Sequence, residues 1–245
     1  MRLPTIVLAC AITTALGISS VSANSLKHKL QQALQKSSAT TGNPSQAEAA
    51  GGIKEALAQG VNRAITQLGH KDGFQGDPLV RILVPEKIRS LTDTARRLGA
   101  GKKVDEFELS MNRAAEQAIP VAANIFSDAV RQMTVQDAVN IVRGPDDAGT
   151  QFFRRVTSDT LRAKFQPIIA NATAQTGVTQ RYKSMLGKNQ GLGNLLGGNQ
   201  NLDLDSYVTN KAMDGLFFYV AQQEKDIRRD PLKRTTSLLK KVFGG

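Results

Sequence analysis

Apolar residues recur at intervals of three and four along most of the chain beyond residue 51, and only an α-helix brings such positions onto one face. Ile53, Leu57, Val61, Ala64, Ile65 and Leu68 form the first stripe, which Gly69 ends. After a turn-rich loop from His70 to Pro78, Pro85 opens a second helix with Ile88, Leu91, Ala95 and Leu98 inward, closed by Gly99 and Gly101. A long helical stretch from about Val104 to Met133 carries Phe107, Met111, Ala114, Ala118, Ala122, Ile125 and Ala129 on one face. Pro120 lacks an N–H and should kink or divide it. Its alanines permit close helix approach and place it at the centre.

Thr134 is the expected N-cap of a helix over Val135 to Arg143, ended by Gly144. Pro145-Asp146-Asp147 starts another, through Phe152, Phe153, Val156, Leu161 and Phe165 to Pro167, with room to resume through Ile169. Two more are expected over Asp205 to Arg229 and Pro231 to Val242. Leu79 to Val84 is the one strand-like run, too short and solitary for a sheet. The fold class is therefore all-α: a single compact multi-helix domain of about seven or eight helices, with at most one very short strand or hairpin.

The first 23 residues read differently. Arg2, an uncharged apolar stretch from Leu3 to Ile18 and the small residues Val21-Ser22-Ala23 are the three parts of a cleavable secretory signal peptide. The apolar stretch is shorter than the roughly 20 residues that span a bilayer. A rival reading takes Val7-Leu8-Ala9-Cys10 as a lipoprotein cleavage site that lipidates Cys10, although the apolar run continues past it. Cys10 is the only cysteine, so cleavage near Ala23 leaves a periplasmic or secreted protein without disulfides, thiol chemistry or cysteine-ligated metal.

Residues 24–50 combine a short amphipathic segment (Leu26, Leu30, Ala33 and Leu34 on one face) with a flexible linker, Ser37 to Gly52. The helical domain occupies 51–245 and contains a mobile Gly/Asn-rich loop at 187–201. With 32 Lys+Arg against 21 Asp+Glu the chain carries +11, and +10 without Arg2. Such charge favours encounter with phospholipid headgroups, lipopolysaccharide phosphates or acidic glycans without specifying one. Nucleic acid is a poor default for an exported protein. Peripheral membrane contact through 24–36 is a further option.

Recognisable catalytic patterns are few. No Gly-x-Ser-x-Gly elbow occurs, and His28 and His70 are the only histidines, which gives neither a triad nor a zinc spacing. The run Gly191 to Gly197 lacks the strand and the Lys-Ser/Thr of a phosphate loop. No metal or cofactor is expected. The candidate polar or buried cluster is Glu108, Asn112, Arg113, Glu116, Asp146, Asp147, Asp214, Glu224 and Arg228. Asp146 and Asp147 read either as an acid pair or as stabilisers of a helix start. Glu108, Asn112 and Glu116, four apart, border the long helix's apolar face and either line a polar groove or meet solvent. Glu224 falls inside the apolar arc of its helix, so it needs a cation or several donors, with Arg113, Arg154 or Arg228 as the candidate cation.

Several stretches together resemble one family: Asp72-Gly73-Phe74, Met111-Asn112-Arg113-Ala114-Ala115-Glu116, Tyr207-Val208-Thr209 and Asp214-Gly215-Leu216-Phe217. Glu224 with Ile227-Arg228 and Asp230-Pro231, and the ending Leu239 to Gly244, belong to the same pattern. The family comprises exported proteins, mostly of Gram-negative bacteria, catalogued as domain of unknown function 4197, and the resemblance covers about Gly51 to Gly245. It implies an envelope location and one helical domain, and it supplies no activity. The chain departs from the family's usual Ala-Ala-Thr at Ala148-Gly149-Thr150, where glycine should weaken a helix start by up to about 1 kcal/mol. The leading expectation is a non-enzymatic binding or scaffold protein for an anionic envelope ligand or partner. The competing one is a carboxylate-based or metal-assisted hydrolase using Asp146, Asp147, Glu116 or Glu224.

Overall fold

The computed structural model describes residues 46–175 and 203–229. The leader, the Leu26–Leu34 segment, the Gly/Asn-rich loop and the helix expected beyond Pro231 lie outside the described residues.

Helix α1 (Gln46–Leu68) starts five residues before the expected Gly51, so the last residues of the expected linker are already helical. Its predicted stripe faces inward: Ile53, Leu57, Val61, Ala64 and Leu68 are buried, joined by Ala50. Helix α2 (Glu86–Ala95) follows Pro85 and leads through a π-helical turn, Arg96–Ala100, into α3 (Gly101–Ala118). That turn overturns one expectation. Leu98 is 81% exposed, not inward. Leu98 directly precedes the break at Gly99, at the very end of the helical run, where little of the fold is left to cover it. Gly99, at φ +83°, then turns the chain into α3. Gly101 accordingly opens the next helix instead of closing the last.

Pro120 acts as its chemistry requires. A 3₁₀ turn, Ile119–Val121, divides α3 from α4 (Ala122–Gln132). Helix α5 (Val135–Arg143) begins with a capping box in which the Thr134 side chain accepts from the Asp137 amide and the Asp137 carboxylate accepts from the Thr134 amide. Those bonds, the one from the Thr134 hydroxyl first, hold the Asp137 carboxyl below the usual range. Helix α6 (Ala148–Gln175) runs on through Pro167. The proline removes one helical bond, but Phe165, Ile169 and Ala172 are buried on either side of it, so packing carries the helix across. Helix α7 (Leu204–Arg229) completes the described set.

Five helices of eleven residues or more (α1, α3, α4, α6 and α7) carry the core, fewer than the seven or eight that the sequence predicts. The others, α2 and α5, have ten and nine residues. Helix α7 packs against α6, α1 and α3, while α6 also packs on α3 and α4. At the centre the ring of Phe126 meets Phe153 and Phe217 edge-on, with centroids 4.9 and 6.0 Å apart. No strand occurs among the described residues: Leu79 and Val80 lie in a turn, and residues 81–85 have no regular structure. No described helix is long and apolar enough to cross a membrane.

Candidate functional site

Residues 70–85 cross the surface without regular structure, so their buried backbone groups need partners from elsewhere. Two side chains of α3, Asn112 and Glu116, help to supply them, with Arg113 and Glu108 beside them. Asn112 brackets Ile82 with its amide: Oδ1 accepts from the Ile82 N–H at 2.8 Å, and Nδ2 donates to the Ile82 carbonyl at 2.9 Å. The same Nδ2 donates to the Glu108 carbonyl one turn back at 2.8 Å. A side-chain amide thus does for Ile82 what a neighbouring strand would have done.

One turn further, the buried Glu116 accepts from the successive amides of Phe74 and Gln75 at 3.1 and 3.2 Å. Its second oxygen takes the Arg113 guanidinium at 2.6 Å, and Arg113 also reaches Asp72 at 2.6 Å. Burial works to lower the Arg113 pKa, but the bonds to Glu116 and Asp72 outweigh it and hold the guanidinium charged. Asp72 needs that restraint, having a left-handed backbone at φ 69°. Glu108 lies 3.7 Å from both Arg81 and Arg96. Phe74 is fully buried against α7, where a Cβ on Gly215 would come within 2.8 Å of its ring. Asp77 finishes the segment by accepting from the Leu79 amide at 2.9 Å and from the Tyr219 hydroxyl. Burial and the Asp77 contact push the Tyr219 phenol up to about 12.

A second cluster centres on Glu224. Its Oε1 accepts from the Gly149 amide at 2.9 Å, and its Oε2 from the Thr150 amide and hydroxyl at 2.8 and 2.9 Å. Arg228, one turn along α7, donates to Oε1 from Nε and Nη2 at 3.2 and 2.9 Å and to the Ile141 carbonyl at 2.8 Å. Of the three candidate cations, Arg228 is the partner. Arg113 serves Glu116, and Arg154 lies 3.7 Å from Asp214 and over the Phe217 ring. The cavity beside Glu224 measures about 10 Å³, room for one water at most. Asp146 pairs with Arg229 at the surface, and Asp147 accepts from Gln151 at 2.9 Å.

The candidate residues therefore separate into two buried clamps, Asn112, Arg113 and Glu116 with Glu108 beside them, and Glu224 with Arg228. Asp146, Asp147 and Asp214 stay with surface partners. Among the described residues, no group of three or more histidines, cysteines or acids is placed to hold a metal ion.

Beyond the first clamp opens a groove of about 630 Å³, a size usual for ligand sites. Its walls are residues 79–89 and the outer face of α7, with Leu79, Leu83, Tyr207 and Phe218 as apolar lining and Gly215 as floor. Leu79 and Leu83 are 71% and 50% exposed. The Tyr207 hydroxyl bonds the Leu83 carbonyl at 3.1 Å and ties the walls together. Arg81, Arg89, Lys211, Glu86 and Asp214 add charged groups to the lining. Arg81 lies 3.7 Å from Glu108 and Arg89 lies 3.4 Å from Glu86, whereas Lys211 has no carboxylate partner among the described residues and lies 5.9 Å over the Tyr207 ring. Sequence reasoning missed Leu79, Leu83 and Lys211. The available signal was the strand-like run itself, an apolar stretch with no sheet to enter.

Among curated proteins and among solved structures, none matches the chain. Among the described residues, four of the stretches that carry the family resemblance meet in space: Asp72 and Phe74 belong to the irregular segment, Asn112, Arg113, Glu116 and Tyr207 bond it, and Gly215 admits the Phe74 ring, whereas Glu224 and Arg228 form the second clamp. The family model described as protein of unknown function (DUF4197) matches residues 43–244, and the chain belongs to that family.

Proposed function

We propose that this is an exported, non-enzymatic binding protein that takes an amphiphilic anionic envelope ligand in the groove between residues 79–89 and α7. One observation carries the proposal. The buried polar side chains of α3 hold an irregular segment whose outer face presents two exposed leucines to a groove containing Lys211, which has no carboxylate partner among the described residues. Natural sequences break local rules chiefly where function requires it, and binding residues concentrate on loops fixed by a rigid scaffold. An apolar body fits Leu79, Leu83 and Phe218, and its anionic group fits Lys211. What weighs against the hydrolase reading is that Glu116 and Glu224 are already saturated acceptors, engaged with backbone amides and guanidinium groups.

The export half of the proposal is tested by mass spectrometry of the chain recovered from cells: a free Asn24 supports cleavage after Ala23, and an acylated Cys10 overturns it. For the groove, titration with anilinonaphthalene sulfonate, an apolar anion, should saturate at one site on the folded protein. Leu83→Ser and Lys211→Glu should each weaken it about tenfold, the worth of roughly 1.4 kcal/mol. Equal binding by both variants would exclude the groove.

A further inference from the structure

We propose a second, separate contact surface: the corner joining α2 to α3, from Arg97 to Lys103, docks the protein onto anionic phospholipid membranes, with Leu98 entering the headgroup–acyl boundary. Leu98 is the most exposed large apolar residue described, at 81%. A single exposed leucine means little by itself. This one sits between Arg97 on one side and Lys102 and Lys103 on the other, all exposed, and none of the three has an ion-pair partner among the described residues.

Arg96 differs in kind. It binds Asp105 at 2.5 Å and lies 3.7 Å from Glu108, fixing the corner to the body of α3 and leaving the other three cations free. No acid occurs from Thr94 to Val104. Asp105, four residues from Gly101, is taken by Arg96, and Asp93 and Glu106 lie five residues from Leu98 and from Gly101 respectively, which at 1.5 Å per residue sets them back about 7 Å from the tip along their helices. The cations thus lead and the acids follow. Gly99 makes the bend at φ +83°, and a Cβ there would meet nothing within 4 Å, so the corner projects into open space.

An apolar tip ringed by unpaired cations is complementary to an anionic bilayer on both counts. The leucine gains by leaving water, and each cation gains from the negative surface potential. A net charge of +11 supports the approach at long range. The alternative anions, soluble glycans or free phosphates, offer nothing to Leu98, so the leucine selects the membrane.

The test is sedimentation of the chain beginning at Asn24 with vesicles of phosphatidylcholine alone or mixed with phosphatidylglycerol. The described helical body begins at Gln46, so trimming the leader removes none of it. Partitioning should require phosphatidylglycerol and fade as salt shortens the Debye length. Leu98→Ser should reduce it about tenfold, and joint replacement of Arg97, Lys102 and Lys103 by alanine about a hundredfold, at roughly fivefold per cation. Because these side chains are exposed, thermal melts of both variants should match the parent, which separates lost binding from lost fold. No binding, binding equal in both variants, or binding abolished only by deleting residues 24–36 would each overturn the assignment.

Discussion

Glu224→Gln removes one charge and changes almost no volume, which makes it the sharpest probe of the second clamp. The wild-type carboxylate, 5% exposed, accepts five hydrogen bonds: the amides of Gly149 and Thr150, the Thr150 hydroxyl, and two from Arg228. In the better of two orientations, the new amide oxygen replaces Oε1 and keeps Gly149 and Arg228. Its NH₂ then faces Thr150, whose hydroxyl can turn to accept but whose amide cannot. One buried donor is left unsatisfied, at a cost of about 1–3 kcal/mol. Arg228, only 10% exposed, keeps a neutral acceptor but loses its counter-charge, which adds a fraction of the roughly 3–5 kcal/mol for breaking a buried pair outright. The expected loss is about 2–4 kcal/mol, read by urea unfolding followed by circular dichroism. Arg228→Met closes a double-mutant cycle, and the two changes should couple by more than about 0.5 kcal/mol. A loss below about 1 kcal/mol, or strict additivity, refutes the clamp.

Three further outcomes follow from the same geometry. Asn112→Leu keeps shape but strands both backbone groups of Ile82, so stability should fall by about 2–5 kcal/mol and the Ile82 amide should exchange faster by hydrogen–deuterium exchange; unchanged Ile82 exchange would remove Asn112 from its role. Gly149→Ala sets helix propensity, worth up to about 1 kcal/mol, against a Cβ 2.3 Å from Leu57 Cδ2 and 3.1 Å from Glu224 Oε1, where overpacking costs about 1–3 kcal/mol. A net loss is expected, relieved by Leu57→Ala in the same chain, and a stabilised single variant would contradict it. Tyr219 has its phenol raised above the ordinary 10.0 to about 12 in the folded state, so its contribution to stability is full below pH 10 and lost as pH rises through about 12. Alkaline melts of Tyr219→Phe should lack that part of the decline.

Much of the scaffold was legible because periodicity reports which face of a helix turns inward. The stripe of α1, the division at Pro120, the Thr134 cap and the inward Glu224 all follow from spacing or from one residue's chemistry. Spacing does not report what stands opposite. Glu108, Asn112 and Glu116 read as lining a groove or meeting solvent, while Asn112 and Glu116 bond backbone atoms 30 to 42 residues away, on a segment without periodicity, and Glu108 lies beside the arginines at 81 and 96. Leu98 was misplaced for a different reason. It continues the apolar spacing of its helix but stands directly before the break at Gly99, and spacing does not report that the fold has ended beneath it.

The two clamps turn out to be one device used twice. Glu116 takes the successive amides of residues 74 and 75, and Glu224 those of 149 and 150. Each carboxylate is braced by an arginine of its own helix, Arg113 at i−3 and Arg228 at i+4, and each arginine reaches onward, to Asp72 or to the Ile141 carbonyl. Every oxygen is engaged, which is the condition under which burying a charge is tolerable. Each clamp ties points 42 or 75 residues apart, the span over which a small exported domain would often use a disulfide. The described helices have no cysteine with which to make one. Glycine completes the device at both places, Gly215 admitting Phe74 and Gly149 admitting Leu57 and the carboxylate. Glycine at position 149 is therefore a packing choice coupled to Leu57, and the effect of alanine there on stability should change sign with the size of residue 57.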